Sequence, residues 1–253
     1  MTTTSLALLR DPDRDVRARA ALDIGREAAP ESLAALVEAL CVEPDAFIRE
    51  NLTWAIVRQS DAALPLLVAL LGDARPLVRH DAAHVLGKIA DGRATDALIA
   101  ALADADRKVV AKAVHGLGQI GDSRAVPGLV GLVGRDDREL ESTLVSVLGR
   151  FDADVVVPAV KALLGEADPV RRKRAVDLLH ELDAADAAPA IAALADDADW
   201  SVRFAVAHAL GTLGGPNAAA ALERLASDAD ARVGAVAQRA LAPKGPKRRV
   251  VVV

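Results

Sequence analysis

With 253 residues and 52% apolar side chains, the chain is too apolar for disorder and long enough to bury a sizeable core. Aromatics make up only 2% and tyrosine is absent, so that core must be aliphatic, built of Ala, Leu and Val. A formal net charge of −5 is ordinary for a soluble protein and argues against a dedicated nucleic-acid binder. The single cysteine, Cys41, excludes an internal disulfide and a cysteine-based zinc site.

Met1 to Arg10 lacks a basic region followed by a long apolar stretch, so no secretory signal is expected. No apolar run approaches the roughly 18 residues of a membrane span. A cytoplasmic protein is the expectation. The Ala/Arg/Asp/Val-rich, Lys-poor composition suggests a GC-rich bacterial genome.

A short opening helix is predicted over about Thr3 to Leu9, and from there a repeat runs to the end. One apolar position is filled in turn by Val16, Ile48, Val78, Val109, Leu140, Arg171, Val202 and Val233. After intervals of 32 and 30 residues every step is 31. A second column, eight positions on, reads Ile24, Ile56, Leu86, Leu117, Leu148, Leu179, Leu210 and Leu241. A fixed period of this length marks an array of stacked supersecondary units. Within each unit the stretch around these columns has helical spacing: in the third, Val78, Ala82, Val85, Leu86 and Ile89 share one face, with His80, Asp81, His84 and Lys88 on the other. Aspartates three residues ahead of the first column (Asp13, Asp45, Asp106, Asp137, Asp168, Asp199, Asp230) stand where an N-cap belongs. Gly25, Gly87, Gly118, Gly149 and Gly211 recur near the helix end, which suggests close approach of a neighbouring helix or a helix terminus.

The other helix of each unit is anchored by Leu36, Leu67, Leu98, Leu129, Val160, Ile191 and Leu222. Pro65, Pro127, Pro158 and Pro189 lie two residues ahead of this anchor, placed here in a first helical turn. Ala90-Asp91-Gly92-Arg93 and Gly121-Asp122-Ser123-Arg124 read as short turns between antiparallel helices. The fold expected is therefore all-α, a solenoid of about eight antiparallel helix pairs with a 31-residue period, one domain over residues 1–242. From Pro243 the pattern stops, and residues 243–253 read as a basic, breaker-rich, disordered tail.

The proline in the first helix, the Asp before the second, and then Val-Arg followed by Ala-Ala-x-x-Leu-Gly, as at Val78 to Gly87, resemble HEAT repeats. More narrowly they resemble the short bacterial type named after phycobilisome lyase subunits. The resemblance covers about residues 3 to 242. It implies that the arginine column (Arg17, Arg49, Arg79, Arg172, Arg203) bonds the Asp of its own or the next repeat and stiffens the stack. That column lapses at Val110, Glu141 and Gly234, so the ladder should be weakest around repeats four and five. The resemblance also places the first helices on a convex side and the second helices on a concave side.

On the second helices, the column six residues after the valine position reads Leu22, Trp54, His84, His115, Ser146, Asp177, His208 and Arg239. A solvated helix would carry Glu or Lys there. Phe204 lies two residues after Val202, and Trp200 stands just before. Large side chains gathered on one rigid face are a hot-spot signature. The expectation is a non-enzymatic scaffold that binds another protein on its concave face through Trp54, His84, His115, Trp200, Phe204 and His208. Arg58, Lys88 and Arg150 would supply steering charge, which favours an acidic segment as partner and disfavours nucleic acid.

The alternative is an auxiliary or catalytic subunit of a cofactor-handling enzyme. Bilin lyase subunits share this repeat type, and Arg79-His80-Asp81-Ala82-Ala83 is close to the Arg-His-Glu-Ala-Ala phrase of the metal-dependent deoxyhypusine hydroxylases. Only His80-Asp81 fits; the matching positions elsewhere, such as Glu50-Asn51 and Ala111-Lys112, do not. His80, Asp81, His84 and His115 are the weak candidates for a metal site. No catalytic constellation and no cofactor motif is apparent, so neither enzyme activity nor a cofactor is expected.

Overall fold

The computed structural model describes residues 6–135, 137–215 and 217–242, and of Arg138 the backbone alone. Met1 to Ser5 and the tail from Pro243 lie outside the described residues, so the start of the opening helix and the basic segment are not described. Leu6 and Ala7 are helical and run into a 3-10 turn at Leu8–Arg10.

The second helices of the repeats are α1 (Arg14–Glu27), α3 (Ala46–Val57), α5 (Pro76–Ile89), α7 (Arg107–Ile120), α9 (Arg138–Leu148), α11 (Pro169–Glu181), α13 (Trp200–Leu213) and α15 (Ala231–Leu241). Alternating with them are the first helices: α2 (Leu33–Val42), α4 (Ser60–Leu70), α6 (Thr95–Ala101), α8 (Val126–Val130), α10 (Ala153–Ala162), α12 (Ala188–Ala192) and α14 (Ala218–Leu225). There is no strand among the described residues. The fold is an all-α solenoid. It divides into two compact units. The first comprises the chain up to Leu132 with Ser142–Phe151, and the second comprises Val133–Glu141 with the chain from Asp152 on. The division falls in the fifth repeat, where the arginine column lapses at Glu141.

Local chemistry sets the helix bounds. Asp13, Asp45, Asp106, Asp168, Asp199 and Asp230 each accept a hydrogen bond from a backbone N–H of the following turn, and Asp137 accepts from Leu140 N at 3.1 Å. The third repeat has Arg75 at this position and no side-chain cap, but Pro76 at the first helical position has no N–H to satisfy. Two of the column prolines differ from expectation. Pro127 and Pro189 do sit in a first turn, but Pro65 and Pro158 lie inside α4 and α10. Those two helices start a turn earlier, at Ser60 and Ala153, whereas α8 and α12 are preceded by separate 3-10 turns.

The anchor columns form the core. Ile24, Leu36, Ile48, Ile56, Leu67, Leu86, Leu98, Leu117, Leu129, Leu148 and Leu179 are fully buried. Within the first unit, α1 packs on α3, α3 on α5 and α5 on α7; within the second, α11 packs on α13 and α13 on α15. The recurring glycines allow this spacing. A Cβ on Gly87 would stand 2.9 Å from the Gly116 Cα, and one on Gly211 would stand 2.8 Å from the Ala240 Cβ.

Several second helices end on a left-handed residue that closes the last turn. Gly121 occupies this position with φ 72°, but its counterparts Ala28 and Ala90 adopt φ 48° and 55° with a Cβ in place. An L-residue other than glycine pays a steric penalty there, partly offset by glycine's greater freedom when unfolded. Ala90→Gly is therefore expected to stabilise the protein by about 0.5–1 kcal/mol. Urea denaturation would show this as a higher midpoint at unchanged slope, and a lower midpoint would contradict it.

Candidate partner-binding face

The arginine column is structural. Arg79 Nε and Nη2 donate to Asp104 at 2.6 and 2.8 Å, while its Nη1 donates to the carbonyls of Asp73 and Ala74 at the entrance of its own helix. Arg172 grips Asp197, and Arg203 grips Asp228, in the same way. Arg17 makes the equivalent pair with Glu43. Each arginine thus ties its own turn to the carboxylate of the next repeat. The guanidinium holds Asp104, Asp197, Asp228 and Asp45's neighbour Glu43 below the usual carboxylate range, against the opposing pull of burial. Arg49 departs from the pattern. Its Nε lies 3.1 Å from the carboxylate of Asp81, while Asp73 is held by Arg75.

That ion pair corrects the placement of Asp81. The helical pattern assigned it to the solvent face, but it is only 6% exposed. In the stack its carboxylate meets Arg49 of the preceding repeat, at 3.1 Å, and His80 Nδ1, at 2.8 Å. His84 is turned elsewhere: its Nε2 lies 3.0 Å from Glu50 Oε2. Gln119 Nε2 lies 3.3 Å from His115 Nε2. Among the described residues no three His, Cys, Asp or Glu side chains converge as metal ligands would. Cys41 lies in the last turn of α2, where burial pushes its thiol up.

The remaining candidates fall into two groups, one in each unit. In the first unit, Trp54 on α3 is 41% exposed. Its ring edge rests on α1, where a Cβ on Gly25 would come within 2.7 Å of it, and Arg58 lies over the ring at 5.3 Å from the centroid. The next two helices continue the face with His84 and Lys88 on α5 and Lys112 and His115 on α7; Arg150 follows α9. Burial lowers the basicity of both histidines below the ordinary value of 6.5. Lys112 and Arg150 lower His115 further, and Glu50 partly opposes the shift at His84.

In the second unit, Trp200 opens α13 and is 39% exposed. Phe204, one turn on, meets it edge to face at 6.5 Å. Arg232 from α15 stacks on the Trp200 ring at 3.5 Å from the centroid, and Asp230 holds that guanidinium in place. His208 packs edge to face on His180 of α11 at 4.9 Å. The sequence reading missed Arg232 and His180 as members of this group. Neither shares a column with its partner, so the period gave no signal for the pairing.

Four stretches of the chain, residues 3–87, 48–111, 95–179 and 156–242, match the HEAT repeats family. The chain belongs to the HEAT repeat family. Among solved structures, this HEAT array is similar to human deoxyhypusine hydroxylase in complex with glycerol. The identity is 20%, over 94% of this chain and 93% of that one, with a TM-score of 0.41. It is also similar to an engineered protein, at 21% identity over 73% of this chain and 100% of that one, with a TM-score of 0.42. No curated protein matches the chain. No helix among the described residues is long and apolar enough to cross a membrane.

Proposed function

We propose that this HEAT array is a non-enzymatic scaffold that binds another protein on the face formed by its second helices, the concave side in the family. The observation that carries the reading is where unengaged side chains collect. In the turns, arginines and carboxylates neutralise one another, as in Arg93 with Asp91 and Asp61, or Arg124 with Asp122 and Asp96. On the second-helix face of the first unit, Arg19, Arg58, Lys112 and Arg150 have no carboxylate partner among the described residues; Arg58 lies over Trp54, and Lys112 and Arg150 act on His115. Exposed aromatic area beside unpaired cations is a surface suited to partner recognition, because Trp buries a large area at small entropic cost and Arg supplies directed hydrogen bonds. The repeat phrase at Val78 to Gly87 fits the short bacterial type of HEAT repeat, and the free thiol of Cys41 fits a reducing cytoplasm.

The test is affinity capture from a native lysate with wild type, with Trp54→Ala/His84→Ala/His115→Ala and with Trp200→Ala/Phe204→Ala/His208→Ala. All three should share one circular dichroism spectrum. A protein retained by wild type and lost from either variant is the expected result. No such protein, together with stoichiometric metal or chromophore that disappears from the variant, would replace the scaffold by a cofactor-handling role.

A further inference from the structure

The second-helix face of the first unit carries a charge arrangement that a general docking surface would not need. His115 on α7 lies within electrostatic reach of basic groups on three elements. Lys112 lies on its own helix, one turn earlier; Lys88 and His84 face it from α5; Arg150 faces it from the segment after α9. The other polar neighbour on its own helix is Gln119. Glu50 of α3 reaches the α5 members of this group and is already engaged there, with His84 at 3.0 Å and Lys88 at 3.3 Å. Lys112 and Arg150 have no carboxylate within bonding distance among the described residues, and neither is withdrawn into the core. In a chain of net charge −5, where the ladder and turn arginines are paired, two adjacent uncompensated cations around an imidazole are a local reversal of sign.

Resting on the scaffold reading, we infer that Lys112, His115 and Arg150 form an anion-binding site for the carboxylates of an acidic segment of the protein partner, with Trp54 and Arg58 taking an apolar side chain of the same segment. Charge complementarity selects this occupant. The cations are long, separately hinged side chains suited to several carboxylates along an extended peptide. Two unpaired cations and an imidazole are too sparse to clamp the dense phosphate backbone of nucleic acid. The imidazoles add a pH dependence of fixed sign. Burial, and then the surrounding cations, lower the basicity of His84 and His115, with Glu50 partly opposing the shift at His84. A bound carboxylate supplies the missing counter-charge, so binding and protonation reinforce one another and affinity rises as pH falls below the ordinary imidazole value.

The probe is a fluorescein-labelled polyglutamate peptide with one central leucine, titrated into the full chain and followed by anisotropy and by Trp54 emission. Binding is expected. It should weaken about tenfold or more in Lys112→Glu/Arg150→Glu and remain unchanged in Arg124→Gln, whose cation is already paired with Asp122 and Asp96 in the turn before α8. Affinity should rise from pH 8 to pH 6 in wild type, and His84→Gln/His115→Gln should flatten the rise. Equal binding by wild type and the charge-reversal variant, or no binding at all, overturns the site. Tighter binding of a duplex DNA oligonucleotide of matched charge overturns the acidic-peptide assignment. If lysate capture still yields a partner that the Trp54/His84/His115 variant loses, the scaffold reading stands even though this site falls.

Discussion

Leu117→Asp is expected to abolish the cooperative melting of the compact unit that contains α7. Leu117 is fully buried in the anchor column, with no exposed surface. Its replacement removes about 2–3 kcal/mol of apolar burial and places a carboxylate where no cation or donor waits. An unpaired buried charge adds several kcal/mol more, or protonates and still leaves unsatisfied oxygens. Against a typical domain stability of about 5–15 kcal/mol this is a large fraction. Leu117→Ala serves as the control. It should lower stability by about 2–5 kcal/mol through the cavity alone and leave the unit folded. Because a repeat is held by its neighbours, the damage should spread to α5, whose Gly87 backbone touches Gly116 of α7. Hydrogen exchange should report lost protection in α5 and α7 first. A circular dichroism melt of Leu117→Asp that matches wild type would refute the assignment of this column to the core.

Arg203→Ala is expected to cost on the order of 3 kcal/mol, more than any surface ion pair would. Arg203 donates two bonds to Asp228, at 2.7 and 2.9 Å, and two to the carbonyls of Asp197 and Ala198, at 2.8 and 3.2 Å. The two side chains are only 16% and 8% exposed. Removing the guanidinium strands a nearly buried carboxylate and leaves two turn carbonyls unbonded. Arg203→Lys should recover part of the loss, since a single ammonium cannot span the carboxylate and the carbonyls together. Acid should erase the difference. Asp228 is held below its ordinary value of 3.8 by Arg203, so its folded value is depressed. The pair's stabilisation is then fully present above about pH 4 and is lost as pH falls through the folded value. Melting temperatures of wild type and Arg203→Ala should therefore differ at pH 7 and converge towards pH 2. A constant gap across that range would show that the loss comes from packing rather than from the ion pair.

The sequence by itself determined the number and kind of elements and the side each buries. Those properties are periodic and local. Anchor residues such as Leu86 and Leu117 recur every 31 positions because each repeat must cover the next, and the aspartate caps act within one turn of their own helix. The arginine column was readable for the same reason, but whether each arginine grips the carboxylate of its own or the next repeat was decided by the structure, where Arg79 reaches Asp104. Only the tertiary structure decided which side chains meet across the stack. Asp81 shares the helical face of His84 yet is buried against Arg49, and Glu50 reaches two residues of the next repeat at once. Trp200 finds Arg232, which stands in a neighbouring column, and His208 finds His180. These contacts depend on the small axial offset and rotation between successive helices, and that offset is set by how far small residues such as Gly87 and Gly116 let two backbones approach. A period records that a helix recurs, but the rotation that turns one column towards another arises only when the helices pack.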